Sequence, residues 1–318
     1  MIVMFDAEGF VQEKLEELRN VIKGNAIIAC SGGVDSTVAA AIVSQAIGDR
    51  LLTVYVNTGF MRKGETETVS RIFENLHLNY RIVDASEEFF AALKGVVEPE
   101  TKRKIIGERF IRVFEREARH FNAGSLVQGT IAPDWIESGD NLRDTIKSHH
   151  NVGGLPDDMK LKLVEPLRDL YKDEVRKVAR YLGIEVSEKQ PFPGPALAIR
   201  VIGEPTRENV EIVREACAIV EEELERAAEL GQMERPWQYF AVLLPVQSVG
   251  VQGDRRAYGR TIAVRAVESI DGMSAAYSRI PHDVLERISL RITSEMKANI
   301  NRVVYDITHK PPATIEWE

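Results

Sequence analysis

Residues 31–37 read Ser-Gly-Gly-Val-Asp-Ser-Thr, between the apolar run Ala26–Cys30 (AIIAC) and a segment in which Val38, Ala39, Ile42, Val43, Ala46 and Ile47 recur at helical spacing up to Gly48. A buried strand, a turn built on paired glycines and a helix leave few folds open. A strand that is apolar throughout must be covered on both faces, which is the condition of a parallel sheet flanked by helices. The surrounding sequence agrees. An amphipathic helix over 6–23 opens at Asp6, carries Val11, Leu15, Leu18 and Ile22 on one face, and stops at Gly24. Strands are predicted at Leu51–Val56, 80–84, Ser125–Gln128 and 161–165, and helices at 65–77, 86–94, 99–120 and 171–182. Strands alternating with helices predict an α/β fold, a doubly wound parallel sheet that binds ligands at the C-terminal ends of its strands.

Between 129 and 160 no apolar period is visible, and Gly, Asp, Asn and His are frequent; a polar stretch of that length reads as a functional loop or lid. The segment QPFPGPALAIR (190–200), with three prolines, reads as a domain junction. Two domains are expected, 1–192 and 193–318. In the second the pattern changes to a long helix (206–230), strands at 238–249 and 261–268, helices near 271–278 and 281–298, and a strand at 302–307, a smaller α+β domain.

Composition narrows the function. The 318 residues carry a net charge of −8, which argues against a nucleic-acid partner, because binding a phosphate backbone needs a basic face. No apolar run approaches the ~18–20 residues of a membrane span, and the N-terminus lacks the basic start of a secretion signal. Only Cys30 and Cys217 occur, so neither a disulfide scaffold nor a Cys-based zinc site is available, and a cytoplasmic location is expected.

The turn itself suits a phosphate. Gly32 and Gly33 let the backbone curl and present its N–H groups, and the following helix adds its positive end. Ser31, Ser36 and Thr37 supply hydroxyls. Asp35 belongs beside a phosphate only if a divalent cation lies between them, which makes it a candidate Mg²⁺ ligand. The loop lacks the lysine of a Walker A motif and is not Gly-x-Gly-x-x-Gly. Gly129 and Thr130, just past a strand end, are placed for close backbone contact with the same ligand.

This loop resembles the PP-loop of the N-type ATP pyrophosphatases, which cleave ATP between its α- and β-phosphates. Six further segments resemble the ATP pyrophosphatase part of the GMP synthetases: ETKRKIIG (100–107), QGT…PDWIES (128–138), IKSHHNVGGLP (146–156), PFPGPALAIR (191–200), PVQSVGVQGD (245–254) and RVVYDITHKPPATIEWE (302–318). They follow the family's order and span essentially the whole chain. The resemblance implies that XMP, ATP and ammonia become GMP, AMP and pyrophosphate, with Mg²⁺. It implies a homodimer formed through the C-terminal domain, whose tail helps to bind XMP. It adds Val34 and Val56 to the ATP contacts of Ser31–Thr37. It assigns XMP contacts to Arg103, Gln238, Asp254, Arg302, Lys310, Ile315 and Glu316.

For several of these residues a plainer reading stands beside the functional one. Asp254 also reads as a turn residue, and Gln238 as a half-exposed strand residue. Lys102 and Lys104, either side of Arg103, read as a solvated helix face. In the mid-chain loop Lys147 can offset charge at the α-phosphate, and His149 and His150 can donate to phosphates or handle a proton. Adjacent histidines are otherwise ordinary surface sequence. Asp134 is either a second metal ligand or a loop carboxylate. Pro311 and Pro312 stiffen the tail so that Ile315 and Glu316 can be aimed, against the alternative of a frayed end. Two positions depart from the family: Asn57, where Asp is frequent, and Ala196, where Gly is frequent, which suggests a turn that tolerates a Cβ. Neither cysteine has the Gly-flanked setting of a glutaminase nucleophile, so a separate glutaminase chain is the expected ammonia source. Another PP-loop ligase, such as an NAD synthetase or a tRNA thiolase, and a non-catalytic nucleotide-binding protein remain the alternatives.

Overall fold

The computed structural model describes residues 5–133, 161–184, 190–252, 254–270 and 272–318. Their contacts cluster into two compact units: Met1–Asn57 with Thr66–Ala85 and Phe110–Glu188, and Thr58–Glu65 with Ser86–Arg109 and Lys189–Glu318.

The first unit is built on a five-stranded parallel sheet in the order β3-β2-β1-β4-β5. Its strands are β1 (Asn25–Ala29), β2 (Leu51–Asn57), β3 (Tyr80–Asp84), β4 (Ala123–Val127) and β5 (Lys162–Val164). The helices are α1 (Ala7–Val21), α2 (Val34–Ile47), α3 (Glu65–Asn75), α4 (Ser86–Ala92), α5 (Pro99–His120) and α6 (Lys172–Tyr181), of which α4 and the first turns of α5 belong to the second unit. β1 reads as a continuous apolar run because Ala26, Ile27 and Ile28 are all fully buried. α2 has no polar face in its middle turns, since every residue from Val38 to Val43 is buried; it packs against α1 and α6 as well as the sheet. Asp6 caps α1 as the sequence suggested, its carboxylate accepting from the Gly9 amide at 3.0 Å.

The second unit contains a four-stranded sheet of β6 (Gln238–Gln252), β7 (Arg255–Glu268), β8 (Ala276–Tyr277) and β9 (Ile300–Tyr305). β6, β7 and β8 are antiparallel, and β9 runs parallel to β7. Helices α7 (Arg207–Glu229) and α8 (His282–Glu295) belong to the same unit. The early segments join it through aromatic packing and backbone capture: Phe60 lies 4.8 Å from Phe90 between ring centroids, and Arg214 donates to the carbonyls of Gly59 (2.6 Å) and Met61 (3.0 Å).

One predicted element is overturned. The described residues of 271–278 form no helix; Ala276–Tyr277 is a short strand on β7. Ser269 explains the difference. Its hydroxyl accepts from the Gly272 amide (2.9 Å) and donates to the Ser274 carbonyl (2.6 Å), so a side chain claims backbone groups that a helix would need.

Candidate nucleotide sites

In the first unit the chain steps from β1 to β2 and β3 on one side, and β4 and β5 lie on the other. The connections therefore diverge at the C-terminal ends of β1 and β4, where doubly wound sheets bind ligands. Two loops meet there. Residues 30–33 leave β1, and Gly129 follows β4 so closely that a Cβ on it would sit 3.0 Å from Asp35 C and from Ser36 N. A side chain there would force that backbone to give by a few tenths of an ångström. Gly32 has φ +78°, and a Cβ there would lie 2.6 Å from Val69 Cγ2.

Gly33 is the N-cap of α2 and provides no side-chain hydrogen bond. The first helical bond runs from the Thr37 amide to the Gly33 carbonyl at 3.0 Å. The amides of the first turn, with the helix's positive end, thus face the loop. Ser31 and Gly33 are exposed, and Ser36 donates to the Gly33 carbonyl at 3.1 Å. Thr37 is buried with its hydroxyl 3.7 Å from Cys30 Sγ. Val34 and Thr130 are half-buried, and Val56 is buried in β2. Burial pushes the Cys30 thiol up, against the opposing hydrogen bond with Ser36, so it is a packed thiol and not a nucleophile.

Asp35 sits in the first turn of α2. Its Oδ2 accepts from Lys172 Nζ at 2.5 Å, while Oδ1 is buried with no hydrogen-bond partner among the described residues. Those residues contain no cluster of three or more His, Cys, Asp or Glu side chains that could hold a metal by themselves. Mg²⁺ does not require one, since it commonly takes one or two carboxylates with substrate phosphates and water. The orphaned Oδ1 in the first turn of a helix with no side-chain cap fits that role. Asp134, Lys147, His149 and His150 lie outside the described residues.

In the second unit the C-terminal tail is docked. Glu316 receives Arg200 through Nε (3.1 Å) and Nη2 (2.8 Å), and Gln238 Nε2 at 2.9 Å. Arg265, fully buried, donates to the carbonyls of Thr308 (2.5 Å), Thr314 (3.1 Å) and Ile315 (3.4 Å), and Trp317 Nε1 donates to Asp306 at 3.1 Å. Arg103 donates to the Glu318 carbonyl. Gln238, Ile315, Glu316 and Arg103 are thus tied to one docked tail. The other three expected residues are not tied to that tail by a side-chain bond among the described residues. Lys310 donates to the Gly272 carbonyl (2.7 Å), Arg302 donates to Ser248 (3.2 Å) from an exposed position on β9, and Asp254 is exposed at the β6–β7 turn.

Lys102 is a correction. It is not on a solvated face: it is fully buried, donating to the Val201 (2.8 Å) and Ala198 (3.4 Å) carbonyls and to the Glu318 carboxylate. Desolvation lowers its pKa, with Glu318 acting in the opposite direction. Lys104 is exposed as expected. Three further cations escaped the sequence reading: Lys172, Arg200 and Arg265. Each carried a signal. Arg200 and Arg265 interrupt otherwise apolar runs (ALAIR, TIAVRAV), where a charge must find a partner. Lys172 is a cation at a helix N-terminus, where the macrodipole disfavours it unless an anion is near.

Residues 224–317 match the family model of the GMP synthase C-terminal domain, and residues 25–190 match that of the queuosine biosynthesis protein QueC. A subunit of the glutamine-hydrolysing GMP synthase of Methanopyrus kandleri is 61% identical over 319 residues, covering 99% of this chain and 100% of that one. The corresponding subunit from Thermoplasma acidophilum is 58% identical over 97% of this chain and 98% of its own. The glutamine-hydrolysing GMP synthase of Thermotoga petrophila is 56% identical over 97% of this chain but only 62% of its own. Among solved structures, an NH3-dependent NAD synthetase from Campylobacter jejuni aligns over 57% of this chain and 75% of that one, at 16% identity and a TM-score of 0.43.

Proposed function

The chain belongs to a family of glutamine-hydrolysing GMP synthase subunits, and on that basis we propose how its residues divide the work of making GMP. The enzyme is a ligase that uses ATP to aminate XMP. ATP is assigned to 1–192, and XMP to 193–318 together with Arg103. O2 of XMP attacks the α-phosphorus of ATP, the bond to the bridging oxygen breaks, and pyrophosphate departs into the Ser31–Thr37 loop. Ammonia then adds at C2, and AMP leaves with the former O2. The observation that carries this is the strand–glycine turn–helix at the end of β1, with an uncapped helix N-terminus and Asp35 in its first turn.

Neither step needs a protein nucleophile. The loop orients the leaving group and supplies N–H dipoles where negative charge accumulates. Asp35 Oδ1 would hold Mg²⁺, which offsets phosphate charge when bound. Val34, Val56, Gly129 and Thr130 are assigned to ATP, and Asp134 to a second metal contact. Lys147 is assigned to charge on the α-phosphate, and His149 and His150 to phosphate donation or proton handling. On the XMP side the assignments are Arg103, Gln238, Asp254, Arg302, Lys310, Ile315 and Glu316. The polyanionic substrates of an acidic protein then meet local cations.

Ammonia comes, in this reading, from a separate glutaminase chain, which accords with relatives that are themselves named as one subunit of a glutamine-hydrolysing enzyme. Both cysteines are free thiols, buried, with their pKa values raised by burial, so neither supplies that chemistry; free thiols also accord with a cytoplasmic site. The chain alone, given XMP, ATP and Mg²⁺, is expected to form GMP with ammonium but not with glutamine. Glutamine-driven GMP formation by the isolated chain would refute the division. No helix among the described residues is long and apolar enough to cross a membrane.

A homodimer through the second unit is supported by the far end of the β6–β7 hairpin. There Val249 pairs with Tyr258, and Val251 (74% exposed) and Tyr258 (70%) place apolar surface in solvent. Tyr258→Glu is expected to halve the mass seen by light scattering; an unchanged dimer, or a monomeric parent protein, would show that this face is not the interface.

A further inference from the structure

The hydrogen bonds on Glu316 are unevenly distributed. Oε1 accepts twice, from Arg200 Nη2 (2.8 Å) and Gln238 Nε2 (2.9 Å), and Oε2 accepts once, from Arg200 Nε (3.1 Å). A carboxylate offers about four acceptor positions, so one remains unclaimed by the described residues, on Oε2. The Glu316 side chain is 14% exposed, enough for a ligand to reach it.

Arg200 is placed for this task by packing. It is fully buried, with its guanidinium 4.1 Å from the Phe240 ring centroid and 5.1 Å from that of Phe192, which also carries Arg62 at 4.1 Å. The rings fix the plane of the fork. Its Nη1 is buried and has no hydrogen-bond partner among the described residues. Two of its five N–H donors are committed to Glu316, and the guanidinium also interacts with the buried Cys217 thiol.

We propose that Arg200 is a positioning residue for purine recognition: together with Gln238 it fills three acceptor positions of Glu316 and leaves a single one, on Oε2, aimed at one ring N–H of an oxidised purine base. This rests on the reading above, in which Gln238 and Glu316 contact XMP. A base without an N–H at that edge would leave a desolvated carboxylate oxygen unpaired, and a site built on a polar donor rejects such analogues strongly.

The test is titration of XMP and, separately, ATP into the full chain, with steady-state kinetics alongside. Arg200→Lys keeps the charge and loses the fork. Kd and KM for XMP are expected to rise about 10–100-fold, as for loss of a charge-assisted hydrogen bond, with ATP affinity within about twofold of the parent and kcat falling less than KM rises. Because Arg200 would act through Glu316, Arg200→Lys combined with Glu316→Gln is expected to bind XMP within about twofold of Glu316→Gln alone. Parental XMP affinity in Arg200→Lys, or losses that multiply in the double variant, would overturn the proposal. Glu316→Gln with parental XMP affinity would remove the underlying reading instead. Should Arg200→Lys fail to fold, Phe240→Leu leaves the fork intact and loosens its plane; it is expected to weaken XMP and not ATP, and equal binding of both ligands to the parent level would count against the role.

Discussion

Asp35→Asn should yield a folded protein whose XMP-dependent pyrophosphate release is lower by about 10²–10³-fold, the usual cost of removing one preorganised electrostatic contact. The substitution is isosteric, so the first turn of α2 and the close approach of Gly129 to Asp35 and Ser36 are preserved. What changes is charge. Oδ1 loses the formal negative charge that would make it a Mg²⁺ ligand, and Lys172 loses the partner 2.5 Å away. The ion pair contributes little to stability, because its two side chains are 45% and 28% exposed; pairs of that kind are worth about 0–1 kcal/mol. Activity and stability should therefore separate. Thermal melting should shift by no more than a few degrees while turnover collapses at any Mg²⁺ concentration. A variant as active as the parent would remove Asp35 from the mechanism.

Gly32→Ala is the second large effect, and it acts through the backbone. An alanine at φ +78° costs about 1–2 kcal/mol for its left-handed conformation. Its Cβ would also lie 2.6 Å from Val69 Cγ2, and Val69 is fully buried in α3. Overpacking of that kind costs about 1–3 kcal/mol more. The two penalties together should lower the melting temperature by several degrees and displace the loop, so ATP affinity falls as well. Adding Val69→Ala removes the collision but not the backbone strain. ATP affinity should then recover in part and melting temperature should not, as calorimetry and titration would show. Full ATP affinity in Gly32→Ala alone would mean that the loop does not bind phosphate through its backbone.

The first unit was legible because its elements are periodic and its chemistry is local. β3 at 80–84 and α5 at 99–120 fall where the apolar spacing and Pro99 placed them. The loop is seven consecutive residues whose character shows in sequence, since glycine pairs and hydroxyls act through the backbone around them. The second unit was less legible because its key contacts are distant in sequence. Arg200 meets Glu316 across 116 positions, and Lys102 meets Glu318 across 216. A charge count along α5 cannot distinguish a lysine in water from one that satisfies two carbonyls and a carboxylate. The strand at Ala276–Tyr277 was missed for a different reason, a serine hydroxyl competing for backbone groups. Ala196 is instructive as well. Reading it as a turn that tolerates a Cβ was incomplete, since the residue is held at φ +55°, in the region that favours glycine, with its side chain buried.

The central claim is that O2 of XMP becomes bonded to the α-phosphorus of ATP before nitrogen arrives at C2. XMP labelled with ¹⁸O at O2, incubated with the chain, ATP, Mg²⁺ and ammonium, tests it directly by mass spectrometry of the products. The expected result is one labelled oxygen in each AMP and none in pyrophosphate. Label released to water or appearing in pyrophosphate, with unlabelled AMP, would contradict adenylation at O2.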